Sequence, residues 1–504
     1  MDILSILQGF SKFLPQVRAP DKPLGIKDKL FWTAISLIVF FMMYNTTAIG
    51  VRSDFATLDF LQTITASRIG SLLTAGIGPI VLAGIFLQLF SGAGIIKVDM
   101  KDKAQRQKFQ DSQKVLAIIL AFAEAMIFVY GGRTPLVPVF SGMGDTIDPV
   151  LGGATVATAP ITAILVVIQI ALGSILVLYL DELMNKYGIG SGISLFIAAG
   201  VSLSIITGSA ELLFGSGTNS VLKLVSSGGA DALPSALLVM LPFWFTIIVF
   251  LISVYAESLK VEIPLSYESV RGMVPKLPLK FFYVSNIPVI FASALILNVQ
   301  LFSGSVLVPM YYEDGVSKYD FSAGYSFEKH GILPLIAHVA PNGAIDDGIL
   351  SFISPPFGRN IFLNLNSVSP IFFIPFWVHG LIYVIFLSLF SVMFGLFWVE
   401  VANMDAKSMS GQLSGSGFQI PGFRRDPRML EQILNKNIFP LTVIGSFSVG
   451  LLAGFADLTG ALGTGTGILL TVGILHKMYE DLEKQKIFEM YPSITSFFNK
   501  SQSN

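Results

Sequence analysis

Ten apolar stretches run through this chain, at about 30–50, 70–92, 115–132, 156–180, 189–207, 235–256, 285–304, 371–398, 438–456 and 460–476. Each is long enough to cross a bilayer or nearly so, since a spanning helix needs about 20 predominantly apolar residues. Backbone in lipid has no water to bond, so such segments fold as helices that satisfy their own N–H and C=O groups. With 53% hydrophobic and 13% charged residues among 504, the composition is far from that of a soluble domain. The sequence therefore predicts an all-α polytopic membrane protein with ten transmembrane helices. The tightest connection comes before the last span, where Asp457 and Gly460 leave only a turn.

One region departs from simple spanning. Leu58 to Ser67 is apolar but too short to cross, so it is expected to re-enter the side it came from, with Arg68 closing it. Gly70, Gly76, Gly78, Pro79 and Gly84 then punctuate the next span. Irregular backbone at membrane depth is tolerated only against protein or a water-filled cavity, so this stretch is expected to line a pore with a re-entrant element in it. At the N-terminus, Ile3, Ile6, Leu7, Phe10, Phe13 and Leu14 recur at helical spacing opposite Asp2, Gln8, Ser11 and Lys12, the pattern of an interfacial helix. No basic n-region, apolar h-region or cleavage site precedes it, so no removable signal peptide is expected and Met1 is read as the mature start.

An even number of spans puts both termini on one side. Placing them in the cytoplasm puts 25 of the 32 Lys and Arg residues inside, as the positive-inside rule requires. The long outer segment from Phe302 to Pro370 carries only Lys318, Lys329 and Arg359. Ten spans divide into two sets of five, and odd-numbered halves have opposite orientation, the geometry of an inverted repeat. The expected organisation is an interfacial helix and lead-in at 1–25, a first half at 26–207, an external connection at 208–234, a second half at 235–479 with cytoplasmic loops at 257–284 and 399–437, and a cytoplasmic tail at 480–504. Zero cysteines exclude disulfides and thiolate metal sites.

The motifs TITASRIG (63–70), GIGPIVLAGI (76–85), KYGIGSGISLFIAAGV (186–201), YVSNIPVIFASAL (283–295), FQIPGFRRDPR (418–428) and GTGTGILL (463–470) together closely resemble the archaeal and eukaryotic branch of the SecY family, whose members form the pore of the protein-conducting channel. The resemblance runs nearly end to end. It implies a ten-helix bundle of two inverted five-helix halves with a plug helix on the outer side, in the plasma membrane. By position it places a constriction ring on Ile77, Val81, Ile189, Ile193, Ile290 and Leu470. All six are aliphatic, which suits a collar that grips any polypeptide loosely and disfavours water when empty. Without the resemblance they read better as ordinary bundle core, since aliphatic residues are the commonest in any membrane bundle. The spacings 77/81 and 189/193 are each one helical turn, so each pair is expected to face one way.

The resemblance also makes 58–68 the plug, with Leu58, Phe60, Leu61, Ile64 and Arg68 as its contacts. It makes Leu82, Glu124 and Asn298 positions of a lateral gate through which signal sequences reach lipid, although Leu82 stands where relatives often carry Thr. An alternative for the mid-span Glu124 is a protonated carboxyl bonded to backbone. Arg271 and Lys276 in one inner loop and Arg424, Arg425 and Arg428 in another are implied ribosome contacts, the arginine guanidiniums suited to RNA phosphate; read alone, they are positive-inside loops. The implied partners are a SecE-like subunit, a small beta-type subunit, the ribosome with its RNA, nascent chains with their signal sequences, and membrane lipid.

Other functions fare worse on the residues. Gly142-Met143-Gly144-Asp145 has the form of an intramembrane aspartyl protease motif and Tyr319-Asp320 the partner dipeptide, but both lie in expected outer loops, where water would not force two carboxyls to share a proton. His330, His338, His379 and His476 form no metal-ligand pair, and no phosphate loop is present, so no cofactor or metal is expected. The second hypothesis is an inverted-repeat secondary transporter, for which Glu124 is the one convincing midplane ionisable group. The cysteine-free chain makes orientation directly testable. Lys276→Cys is expected to react with a membrane-impermeant maleimide from the cytoplasmic side of sealed vesicles, and Lys329→Cys from the outer side.

Overall fold

The computed structural model describes residues 9–11, 14–20, 24–51, 67–92, 95–96, 102–130, 134, 136–139, 145, 158–215, 220–226, 232–264, 266–267, 276–302, 312–313, 316–317, 333–339, 345–354, 368, 372–415, 418–419 and 427–490. Among them, ten helices have fifteen or more residues: α1 (Ile26–Asn45), α2 (Gly78–Gly92), α3 (Lys103–Tyr130), α4 (Pro160–Tyr187), α5 (Gly192–Phe214), α6 (Leu241–Ser258), α7 (Ile287–Phe302), α8 (Phe376–Val401), α9 (Pro427–Leu458) and α10 (Gly465–Met490). Among the described residues, six helical stretches are long and apolar enough to cross a membrane: Ala104–Tyr130, Pro160–Tyr187, Gly192–Phe214, Ala232–Ser258, Phe376–Gly415 and Arg428–Leu458. Gly78–Ser91 and Ile287–Ile296 are shorter apolar helices. The protein is thus a mostly helical, multi-pass membrane protein.

The all-α expectation needs correction in the connections. Among the described residues there are four short antiparallel strand pairs, the longest joining Lys260–Pro264 to Lys276–Lys280. Ser266–Tyr267 pairs with Phe418–Gln419, so a two-residue ladder links the two loops predicted to face the cytoplasm. Strands form here because a polar connection that returns on itself can satisfy its backbone through a hairpin ladder.

Two starts also differ from expectation. The second span was expected from residue 70, yet residues 69–77 are successive turns and the helix begins at Gly78. Gly70 (φ 89°) and Gly76 (φ 53°) take left-handed backbone that interrupts the helix. The turns bond among themselves and to the residues just after α1: Ala48 N–H donates to Gly70 (2.9 Å), Leu72 N–H to Thr46 (3.0 Å), and the Thr74 hydroxyl to Ser71 (2.6 Å). The fifth helix begins at Gly192 after a bend at residues 188–190, with Gly190 at φ 73°. Ile189 and Ile193 therefore do not share one helical face. In the N-terminal segment the expected faces are reversed at two residues: Phe10, expected on the apolar face, is exposed, while Ser11, expected on the polar face, is buried.

Packing sorts the helices into two groups of neighbours. In the first, α1 and α3 pack on α4, α2 on α3, and α4 on α5; in the second, α8 packs along α7 and α9, and α10 lies against α6 and α9. The groups meet where α10 runs beside α5 and where α2 touches α7 and α8. Helical hydroxyls are satisfied locally, as Ser36 on Trp32, Ser253 on Val249 and Thr471 on Gly467, each bonded to the carbonyl one turn earlier, which keeps polar atoms tolerable in an apolar bundle. At Gly173 in α4 an added Cβ would overlap the backbone oxygen of Leu72, in the turns before α2. Gly173→Ala is expected to destabilise the protein by about 1–3 kcal/mol. The check is the midpoint of thermal inactivation in detergent, with Gly411→Ala, where a Cβ meets nothing within 4 Å, as the unaffected control.

Candidate functional site

The six candidate ring residues lie close to the places where helices begin. Ile77 is buried immediately before α2, and its carbonyl accepts the N–H of Val81 (3.1 Å). Val81, Ile193 and Ile290 stand in the first turns of α2, α5 and α7, and Leu470 in the second turn of α10. Ile77 and Leu470 belong to one buried apolar cluster, and Val81, Ile193 and Ile290 pack against it. Val81 and Ile290 also touch the neighbouring cluster built around Val289, Tyr383 and Leu469. Five of the six thus gather where the two helix groups meet. Ile189 is buried but lies outside that cluster.

Buried polar groups on neighbouring helices hold this region's backbone. The Ile189 N–H donates to the Thr33 hydroxyl of α1 (3.2 Å), and the Ile193 N–H to the Asp181 carboxylate of α4 (2.8 Å). Asn286, just before α7, donates to the Leu469 carbonyl of α10 (2.6 Å). Close by, Glu182 sits between Lys114 (2.9 Å) and Lys186 (2.8 Å), and Lys186 also donates to the Val17 carbonyl, so α3, α4 and the N-terminal lead-in are tied at one point. Sequence reasoning missed these groups. Asp181 comes just after the apolar stretch 156–180, and Asn286 lies inside a motif read only as a landmark.

The residues expected at the gate and the plug lie only partly among the described ones. Leu82 is half-buried in α2, and Glu124 is buried at 6% exposure on the stripe of α3 formed by Ala117, Ala121, Ala125 and Phe128. The backbone of Asn298 is in α7, but its side chain lies outside the described residues. Leu58, Phe60, Leu61 and Ile64 also lie outside them; Arg68 is exposed and donates to Asn45 at the end of α1 (3.1 Å).

Asp145 requires a correction. Expected in open water, it is buried, and its carboxylate accepts from the backbone N–H (3.2 Å) and hydroxyl (2.5 Å) of Thr162 in the first turn of α4. An acid there meets a free N–H at a helix start, which gives Asp145 a structural reason to be buried. Tyr319 and Asp320 lie outside the described residues.

On the side predicted to be cytoplasmic, Arg271, Arg424 and Arg425 lie outside the described residues, and Arg428 is exposed at the start of α9. Lys276 is exposed and pairs with Glu262 across the hairpin (2.5 Å), a solvated pair of small energetic weight. The base of the hairpin is held differently. Lys280 meets Glu480 of α10 (3.2 Å) and Glu257 of α6 (3.8 Å), while Lys260 (3.8 Å) and His476 (3.2 Å) also face Glu480. Glu480 lies beyond the apolar part of α10. Partial burial pushes its carboxyl up, but the Lys280 hydrogen bond and the nearby charges of Lys280, His476 and Lys260 outweigh this and hold it below the usual value.

These features define a class: a multi-pass helical membrane protein whose interrupted helices bring aliphatic side chains together where two helix groups meet. The SecY family model matches residues 71–479. The protein translocase subunit SecY of Methanocaldococcus jannaschii is 41% identical over 489 residues, covering 97% of this chain and 98% of that protein. That of Pyrococcus horikoshii is 37% identical, covering 99% and 100%. Among solved structures, a protein-conducting channel aligns with a TM-score of 0.73 at 39% identity, covering 98% of this chain and 99% of that one. Sec61 in the canine ribosome–channel complex from the endoplasmic reticulum aligns with a TM-score of 0.70 at 38% identity, again covering 98% and 99%. The chain belongs to the SecY family.

The ion cluster at the hairpin base generates a pH test. A carboxyl held below its ordinary value stabilises the fold above that value and loses its contribution as pH falls through the lowered one. Glu480→Gln is therefore expected to lower the thermal-inactivation midpoint at pH 7. The difference from the unsubstituted protein should shrink as pH drops below the ordinary value of 4.5.

Proposed function

We propose that this chain is the pore-forming subunit of a passive protein-conducting channel in the cell membrane, a conduit for secretory polypeptides and a sideways exit for apolar segments into lipid. It is a channel subunit and not an enzyme. In this reading ten helices cross the membrane as two inverted halves, 26–207 and 235–479, with both termini cytoplasmic and residues 58–68 as the plug. Ile77, Val81, Ile189, Ile193, Ile290 and Leu470 form the constriction. The observation that carries it is the convergence of five of these side chains, drawn from both helix groups, in one apolar cluster.

Aliphatic groups make no hydrogen-bonding demands, so the collar passes any side chain that fits. A narrow apolar waist sheds water when empty and thereby blocks ions. The plug, a short segment, opens at little cost when a chain arrives. The gate lies along α2, α3 and α7, where Glu124 and Asn298 add polar contacts that an entering signal helix replaces and Leu82 adds only apolar ones. Nothing in this chemistry consumes energy, so the driving force comes from a partner. The ribosome, met through Arg271, Lys276, Arg424, Arg425 and Arg428, supplies it by synthesis, and SecE-like and beta-type subunits complete the complex. Nothing among the comparisons favours the transporter reading.

The test is photocrosslinking. A probe at Ile77 or Ile193 is expected to label a stalled nascent chain, whereas a probe at the lipid-facing Ile168 of α4 is not. Saturable uptake of a small solute with no such crosslink would overturn the proposal. Ser at both Ile77 and Leu470 is expected to raise ion leak through the resting channel, read as conductance in planar bilayers.

A further inference from the structure

Asn286 is buried, and it holds two candidate ring residues at once. Its backbone carbonyl accepts the N–H of Ile290 (3.2 Å), opening the first turn of α7, and its side-chain Nδ2 donates to the carbonyl of Leu469 (2.6 Å), the residue before Leu470 in α10. Gly473, one turn further along α10, leaves room for this amide: a Cβ there would lie 2.5 Å from Nδ2. The junction is not relaxed. Ser285 takes φ 57°, a left-handed backbone that non-glycine residues rarely adopt, and the buried Asn286 Oδ1 has no hydrogen-bond partner among the described residues. An unmet buried acceptor beside strained backbone costs stability, so the tied arrangement is only modestly favoured over a parted one.

We propose that Asn286 is a positioning residue that sets the resting width of the constriction, holding Ile290 and Leu470 together through α7 and α10 and letting them part when its bond to Leu469 breaks. The inference rests on the ring reading above and adds what determines the ring's closed size. Asn286 touches no passing chain in this scheme; it acts through its two neighbours.

The test breaks the contact from both sides, in the full chain purified with its membrane partners and reconstituted into liposomes. Asn286→Ala removes the donor, and Gly473→Ala pushes it away while leaving Asn286 in place. Each is expected to raise resting ion leak per assembled complex about fivefold, the bias one net hydrogen bond gives a two-state equilibrium. The double variant should leak no more than Asn286→Ala alone, because a shortened side chain no longer meets the new methyl. Unchanged leak in the single variants, or leaks that multiply in the double, would overturn the proposal. If Asn286→Ala does not assemble, Gly473→Ala decides by itself, and a leak at the unsubstituted level overturns it. Crosslinks from Ile77 and Ile193 in the unsubstituted channel separate the two ideas: their absence removes the ring and this proposal together, whereas their presence with no added leak removes this proposal alone.

Discussion

Lipid offers no hydrogen bonds, and each place where this chain breaks its helices is shaped by that fact. A bend at membrane depth frees N–H and C=O groups that other parts of the protein must take up. The turns before α2 bond to residues 46 and 48 after α1 and to their own Thr74. At the bend before α5, Thr33 and Asp181 take the N–H groups of Ile189 and Ile193. The turn before α10 is met by Thr246, which accepts from Leu462, and by Asp457, which accepts from Gly465 and from the Tyr383 hydroxyl. Thr33 and Thr246 each donate to the carbonyl one turn back and accept the stray N–H, so one hydroxyl serves two elements.

These repairs have a functional consequence. Helices that start within the bundle point their first turns inward, and first turns carry Val81, Ile193 and Ile290. In the channel reading proposed above, an apolar waist made from the beginnings of several separate helices would change its diameter by small shifts of each. A waist built on continuous helices would have to deform them. The cost of breaking the helices thus returns as a junction between two helix groups that is apolar at its centre and held from behind by a few polar ties.

Much of this was readable from residue order. Apolar runs indicated a multi-pass protein, Lys/Arg asymmetry an orientation, and the glycines at 70 and 76 marked irregular backbone. Six motifs indicated the family. What could not be read was how the breaks are resolved. The 189/193 spacing looks like one helical turn, and a left-handed Gly190 between the two residues undoes that. Asp145 looked like a solvated loop acid, and a free helix-start N–H made it a buried partner of Thr162. The strand pairs in the connections were equally invisible, since two-residue ladders leave almost no periodic signal.

Residue order alone determined that the chain spans a membrane, that ten apolar segments run through it, though not where each helix begins and ends, and that the family-aligned positions are aliphatic, because hydrophobicity is a local property. Which aliphatic residues meet, which stay apart as Ile189 does, and which buried polar atoms hold them were settled in three dimensions. Those outcomes depend on contacts between segments as far apart as Asn286 and Leu469, and no local pattern encodes the pairing of groups so distant in the chain.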